Sequence, residues 1–72
     1  MQKYRFAYAK LRGRMAEKGY TITSLAAVIG ISRLTLAHRL DNRYPFNSRE
    51  MKAISDYLDI PGEQMASYFF AE

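Results

Sequence analysis

Cysteine is absent from this chain of 72 residues, and so is any long run of apolar residues. The first absence excludes a disulfide framework and a thiolate metal site, so tight helix packing has to supply the stability. The second excludes a transmembrane helix, which needs about 20 apolar residues. The N-terminal segment mixes charge through its length, unlike a signal peptide. We therefore expect a cytoplasmic protein with no membrane association. A chain this short predicts one domain over residues 1–72.

Acidic residues are few: seven Asp and Glu stand against eleven Lys and Arg, which gives a net charge of +4 and a pI near 9.6. The excess favours a polyanionic partner or an acidic protein surface. The charge is unevenly distributed, because residues 3–18 contain many cations and only Glu17 as an acid, whereas acids outnumber Lys52 from Glu50 onward.

Glycine and proline divide the chain into five short segments with apolar residues at helical spacing. Thr21, Ser32 and Asn47 are positioned to cap the second, third and fourth helices, and Glu50 completes a capping box with Asn47. Gly19 and Gly30 are placed where helices end. The first helix is predicted from Phe6 or Ala7 to Lys18 with a basic outer face, and the last from Gly62 to about Ser67, after Pro61. The predicted inward residues are Tyr8, Leu11, Met15, Leu25, Val28, Ile29, Leu36, Leu40, Met51, Ile54, Leu58 and Met65, with Tyr68 or Phe69.

A small residue, a turn glycine and a leucine follow one another at spacings of four and six: Ala26, Gly30 and Leu36. Two short helices that cross steeply need such residues at their closest approach, in the turn and at the seat of the second helix. The segment "LAAVIGIS", Leu25 to Ser32, resembles the "LAxxxG(V/I)S" pattern of the helix-turn-helix domains of phage Cro and repressor proteins. "YAKLRGRMAEKG" and "IPGEQMASYFF" are similar to the first helix and the ending of a small Cro-like group, which includes modulators of repression.

The resemblance implies an all-α, compact five-helix, lambda-repressor-like domain, with the helix-turn-helix over about residues 21–40. It also implies a phage regulator of a lysis/lysogeny switch, acting in the bacterial host cell, whose third helix lies in the major groove of operator DNA. With Leu36 and Leu40 inward, a rotation of 100° per residue turns Leu34 and His38 outward. The predicted base-contacting or partner-binding residues are Ser32, Arg33, Leu34, Thr35, Ala37 and His38. The predicted backbone contacts are Thr21, Thr23, Arg39, Arg43, Asn47 and Ser48.

Two residues depart from the family pattern and favour a protein partner. Ile22 stands where relatives often carry glutamine, and Leu34 lies at the centre of the predicted reading face. The alternative function is therefore a modulator or antirepressor that grips a phage repressor protein and binds little or no DNA itself. Its predicted interface anchors are Ile22, Leu34, Phe69 and Phe70. Ala37 accompanies them on the third helix, and self-association through the aromatic tail at 67–72 would give a homodimer.

Catalysis finds no support in the sequence. The carboxylates lie on predicted solvent faces or at helix caps, at Glu17, Glu50, Asp56, Asp59 and Glu63, and no serine belongs to a known nucleophile motif. His38 is the only histidine and has no soft ligands beside it, which favours a surface contact over a metal ligand. We expect no enzyme activity, no small-molecule substrate, no cofactor and no metal.

Overall fold

The computed structural model describes residues 8–70, and within that range it holds helices and no strand. The all-helical fold predicted from the sequence is therefore confirmed. The Cα radius of gyration is 11.2 Å, the value expected for a compact chain of this size. The helices are α1 (Ala9–Glu17), α2 (Ile22–Ile29), α3 (Arg33–Leu40), α4 (Ser48–Leu58) and α5 (Met65–Phe69), with a 3₁₀ turn at Gly62–Gln64 directly before α5.

Side chains cap the first turns of α2, α3 and α4, at the three residues predicted from the sequence. The Thr21 side chain accepts a hydrogen bond from the Ser24 N–H at 3.0 Å, and Ser24 Oγ accepts one from the Thr21 N–H at 2.9 Å. Ser32 Oγ accepts from the Thr35 N–H at 3.0 Å, and Asn47 Oδ1 caps α4 in the same way. These bonds satisfy backbone donors that lack a partner inside a helix, so each short helix begins at a defined residue.

Left-handed glycines end the first two helices. Gly19 has a φ of 80°, and beside it the Tyr20 N–H donates to the Met15 carbonyl at 2.9 Å. Gly30 has a φ of 81°, and its N–H donates to the Ala26 carbonyl at 3.0 Å. Residues with a Cβ rarely adopt this conformation, so both glycines are required by the turns that they form.

The core lies where the inner faces of all five helices meet, and most of the predicted inward residues are buried there. Val28 is a correction, because 42% of its side chain is exposed and Ala26 occupies the inner position of α2 instead. Phe46 and Ile60 enter the core from the segments before and after α4, which helical periodicity does not identify. The buried apolar residues are Leu11, Met15, Leu25, Ala26, Ile29, Leu36, Leu40, Phe46, Ile54, Leu58, Ile60 and Phe69.

The two ends of the described range differ in detail from the prediction. The predicted start of the first helix, at residue 6 or 7, lies outside the described residues; α1 begins at Ala9, after Tyr8 with a φ of 58°. The last helix begins as a 3₁₀ turn and continues to Phe69, two residues beyond the predicted end. Phe69 is buried against Phe46, with 5.4 Å between ring centroids, whereas 66% of Phe70 is exposed. The prediction of Phe69 as an interface anchor is therefore wrong.

Candidate binding surface on the second and third helices

The turn between α2 and α3 consists of three residues, Gly30 to Ser32, and the two helices pack directly on each other. Ala26 is buried on α2 and Leu36 is fully buried on α3, as their spacing from Gly30 predicts. The small side chain at Ala26 lets the helices approach closely. This packing leaves the first turn of α3 and the outer side of α2 on the surface of the protein.

The outward face of α3 has an apolar centre. Leu34 is 60% exposed, and Ser32 and Arg33 are exposed beside it, while Thr35 and Ala37 are half-buried. His38 is half-buried too, because its ring lies 5.9 Å from the ring of Tyr44 in the loop before α4. An exposed leucine is the most prominent side chain of this face, and His38 presents less of its surface than the helical rotation predicts.

Two hydroxyl groups of the face are engaged inside the protein. Ser32 Oγ accepts from the Thr35 N–H and donates to Thr35 Oγ1 at 2.8 Å. The hydroxyl proton of Ser32 is therefore committed, while Thr35 keeps its own proton for an external acceptor. As a result, Arg33 is the side chain of the first turn of α3 with the most hydrogen-bonding capacity left for a ligand.

Arg39 and Glu50 form a bidentate ion pair between α3 and α4. Arg39 Nε donates to Glu50 Oε1 at 3.0 Å and Arg39 Nη2 donates to Glu50 Oε2 at 3.2 Å. Glu50 also accepts from the Asn47 N–H at 3.1 Å, and only 3% of the residue is exposed. The predicted capping box of Glu50 with Asn47 is confirmed, and Glu50 is buried as well. The prediction of Arg39 as a backbone contact needs correction, because its guanidinium binds a carboxylate of the same chain instead of standing free for a phosphate.

Burial by itself raises the pKa of Glu50, but the hydrogen bonds from Arg39 and from the Asn47 N–H, with the charges of Arg39 and Arg49, lower it below its ordinary value. The hydrogen bond and charge of Glu50 correspondingly raise the pKa of Arg39 against its own burial. Both groups are therefore held in their charged forms, and the pair joins α3 to the first turn of α4.

We expect the free energy of unfolding to fall as the pH drops below about 4. The pKa of Glu50 is lower in the folded than in the unfolded chain, so its contribution to stability is complete above the unfolded pKa and is lost as the pH falls through the folded pKa. Urea unfolding at a series of pH values measures this dependence. Glu50→Gln should flatten the curve, and a variant whose curve has the wild-type slope would contradict the assignment.

The cations of α1 are also used within the protein. Arg12 Nη2 donates to the carbonyl of Leu40 and to Asp41 Oδ1, both at 3.1 Å. These acceptors lie at the C-terminal end of α3, where backbone carbonyls lack helical partners and the helix dipole is negative. Arg12 therefore attaches α1 to the end of the candidate binding helix, and its charge is paired with the Asp41 carboxylate there.

Arg14 plays the corresponding part at the end of α4. Its Nε donates to the Leu58 carbonyl and its Nη2 to the Asp59 carbonyl, both at 2.8 Å. Lys18 lies 3.0 Å from the Asp59 carboxylate, and its hydrogen bond and charge lower the pKa of that group. Arg12, Arg14 and Lys18 of the predicted basic face therefore bind the C-terminal ends of α3 and α4.

Three arginine side chains in the described part of the chain make no hydrogen bond or ion pair within it: those of Arg33, Arg43 and Arg49. Arg33 begins α3, Arg43 follows its end, and Arg49 lies in the first turn of α4. The Arg49 side chain extends from α4 to the turn between α2 and α3. Its Nη2 lies beside Gly30, 3.8 Å from the position that a Cβ would take on that residue. All the unpaired arginines therefore surround α3.

Sequence reasoning missed Arg49 and Tyr44. The available signal for Arg49 was the absence of an acidic residue three or four positions away on its helix. Of the predicted backbone contacts, Thr23 and Ser48 are exposed at the starts of α2 and α4, while the side chains of Thr21 and Asn47 serve as caps. Ile22 is half-buried against the core, which leaves only part of its side chain for a partner.

Within residues 8–70, no helix is long and apolar enough to cross a membrane. The same range holds no group of three or more His, Cys, Asp or Glu side chains arranged to bind a metal ion. The chemistry of the candidate surface is therefore that of arginine guanidinium groups around an apolar centre, which suits binding through charge and apolar contact.

The fold is that of a small, compact all-helical domain. A family model described as "Protein of unknown function (DUF739)" matches residues 4–72, and the chain belongs to this family. No curated protein and no solved structure matches the chain.

Proposed function

We propose that this protein is a Cro-like transcriptional regulator of a phage lysis/lysogeny switch that binds operator DNA through a lambda-repressor-like helix-turn-helix. The sequence pattern from Leu25 to Ser32 supports the family, and the buried Ala26, the left-handed Gly30 and the buried Leu36 agree with the helix-turn-helix. In this reading α2 and α3 are its two helices, and α3 enters the major groove.

One observation carries the proposal: the arginines without a partner inside the described protein all surround α3. Arg33 is placed to bind guanine, while Arg43 and Arg49 lie where phosphates pass on either side of a helix in the groove. Thr23 and Ser48 add neutral backbone contacts at the starts of α2 and α4, and Leu34 or Ala37 packs on a thymine methyl. Occupation of the operator then alters promoter access, and affinity falls with salt as counterions are released.

We expect Arg33→Ala to reduce operator affinity by about tenfold and to relax specificity at one base pair. Arg49→Ala should weaken binding to all sequences and reduce the salt slope by about one, since it removes a phosphate contact. Titration of labelled operator DNA at several salt concentrations measures both effects. His38→Ala should reduce operator affinity as well, because the His38 ring would no longer contact the major groove of the DNA.

Lys52→Ala is the matched control, because it removes an exposed cation of α4 that is paired with Asp56, whereas Arg33 and Arg49 have no such partner. Its affinity should equal that of the wild type. Unfolding free energies of Arg33→Ala and Lys52→Ala should stay within about 0.5 kcal/mol of the wild type. A purified protein that shows no salt-sensitive, sequence-selective binding at all would refute direct operator recognition.

The exposed Leu34 favours a second candidate function, that of a modulator or antirepressor which binds a phage repressor protein. An apolar centre surrounded by arginines is the usual composition of a protein interface, and the engaged hydroxyl of Ser32 reduces the polar groups left for bases. Leu34 would be the anchor, with Ala37 and the exposed part of Ile22 beside it. Titrating operator DNA with and without the repressor of the same switch distinguishes the two functions.

A further inference from the structure

An open groove lies where the loop between α3 and α4 meets the end of α5, and its volume is about 220 Å³. Its floor is aromatic, because the buried ring of Phe46 packs edge to face against Tyr8, with 5.2 Å between ring centroids, and against Phe69, with 5.4 Å. The exposed rings of Tyr44 and Phe70 stand at its rim. A further aromatic ring in the groove would extend the edge-to-face packing of the floor.

A positive charge without a partner lies at the same groove. Arg43 is the only charged residue among the described residues of the lining, and its side chain makes no hydrogen bond or ion pair within that part of the chain. Its backbone is fixed at the end of α3, where the Arg43 N–H donates to the His38 carbonyl at 3.0 Å. The nearby Asp41 carboxylate is paired with Arg12 at 3.1 Å. The guanidinium of Arg43 is therefore left for an anion from outside the protein.

The size and the charge of the groove define the ligand that fits it. A single guanidinium balances one negative charge and binds a planar carboxylate through two parallel hydrogen bonds. A doubly charged phosphate would lose more hydration in an apolar groove that offers only one cation. The volume lies below the roughly 300–1,000 Å³ of sites for drug-sized ligands. One aromatic ring with a short acidic side chain therefore fits the groove.

We propose that this groove is a binding site for a small aromatic carboxylate, whose ring packs on Phe46 and whose carboxylate binds the guanidinium of Arg43. The site also reaches α3, because Tyr44 lines the groove and its ring lies 5.9 Å from the ring of His38. Occupation of the groove therefore alters the surroundings of His38 on the outward face of α3. Binding of the ligand does not depend on what the α2–α3 surface binds.

The test is a titration of the full-length protein, without DNA, with 3-phenylpropanoate at neutral pH, followed by NMR. The amide signals of residues 43–46 and Met51 and the ring signals of His38 should shift together. We expect a dissociation constant on the order of 1 mM, as for a ligand of about ten non-hydrogen atoms in an open groove. 3-Phenylpropanamide keeps the ring without the charge, and pentanoate keeps the charge without the ring, so each should bind at least about fivefold more weakly.

Two pairs of variants test the residues of the site. Arg43→Gln should reduce the affinity for 3-phenylpropanoate to that for the neutral amide, whereas Lys52→Gln, which removes a positive charge outside the groove lining, should leave it unchanged. Phe70→Ser removes a ring of the rim and should weaken binding at least about threefold. Tyr57→Ser removes an exposed ring of α4 that does not line the groove, and it should bind as the wild type does. Arg43 and Phe70 are exposed, so their variants should stay folded.

Three results would overturn the proposal. Groove signals that stay constant up to about 20 mM of 3-phenylpropanoate would show that the groove does not bind this class of ligand. Equal affinities for the acid and the amide would show that Arg43 takes no part, and would assign the groove to an apolar side chain of another polypeptide. Groove signals that shift with protein concentration in the absence of ligand would assign the groove to a second copy of the chain.

Discussion

Arg39→Ala is expected to reduce the free energy of unfolding by about 3 kcal/mol, because it leaves the Glu50 carboxylate buried without its counter-ion. Glu50 keeps the hydrogen bond from the Asn47 N–H, which places the loss at the lower end of the range for buried pairs. A chain of this length has a total stability of roughly 4–10 kcal/mol. The melting temperature should therefore fall by more than about 12 °C, as measured by circular dichroism.

The control for this prediction is Lys52→Ala, which breaks an exposed ion pair with Asp56 and should cost less than about 0.5 kcal/mol. A second comparison isolates the buried charge. Arg39→Met combined with Glu50→Gln removes both charges while keeping an acceptor for the Asn47 N–H, and it should be more stable than Arg39→Met alone. If Arg39→Ala costs less than about 1 kcal/mol, the ion pair does not join α3 to α4 in solution.

Leu34→Asp is expected to abolish binding of a phage repressor protein, with a loss of affinity of about a hundredfold or more. The substitution places a charge at the apolar centre of the surface, where a partner's side chain would bury it. The domain should stay folded, because Leu34 is largely exposed and an acid in the first turn of α3 interacts favourably with the helix dipole. Size-exclusion chromatography of the mixture and thermal unfolding of the variant measure the two effects.

Leu34→Lys separates the two candidate functions, since an aspartate at this position would weaken contact with DNA phosphates as well. A lysine should also prevent an apolar contact with a repressor, but it should preserve or strengthen attraction to DNA. Tyr57→Ser serves as the control, because it removes an exposed aromatic side chain on α4. Full repressor binding by Leu34→Lys would exclude Leu34 as the anchor of the repressor complex.

The start and end of most helices could be predicted because the signals are local. A capping side chain acts on an N–H three residues later, and a left-handed glycine acts on carbonyls of the preceding turn, so Thr21, Ser32, Asn47 and Gly30 have the predicted roles. Helical periodicity likewise identified Leu36 and Leu40 as core residues. The spacing of Ala26, Gly30 and Leu36 located the candidate surface, because these three residues also lie close together in the sequence.

The partners of the charged residues could not be predicted, because they lie far apart in the sequence. Arg12 and Arg14 differ little from other exposed cations of an amphipathic helix until the ends of α3 and α4 are brought against them. Glu50 was recognised as a capping residue, but its burial depends on where Arg39 of another helix lies.

By itself, the sequence determined which residues begin and end the helices and which sides of them are apolar, since these follow from interactions within one or two turns. Only the tertiary structure decided which cations are used inside the protein and which remain for a ligand, because ion pairing depends on the packing of distant helices. It placed Phe69 in the core and Phe70 outside it, and it left Leu34 exposed among the unpaired arginines.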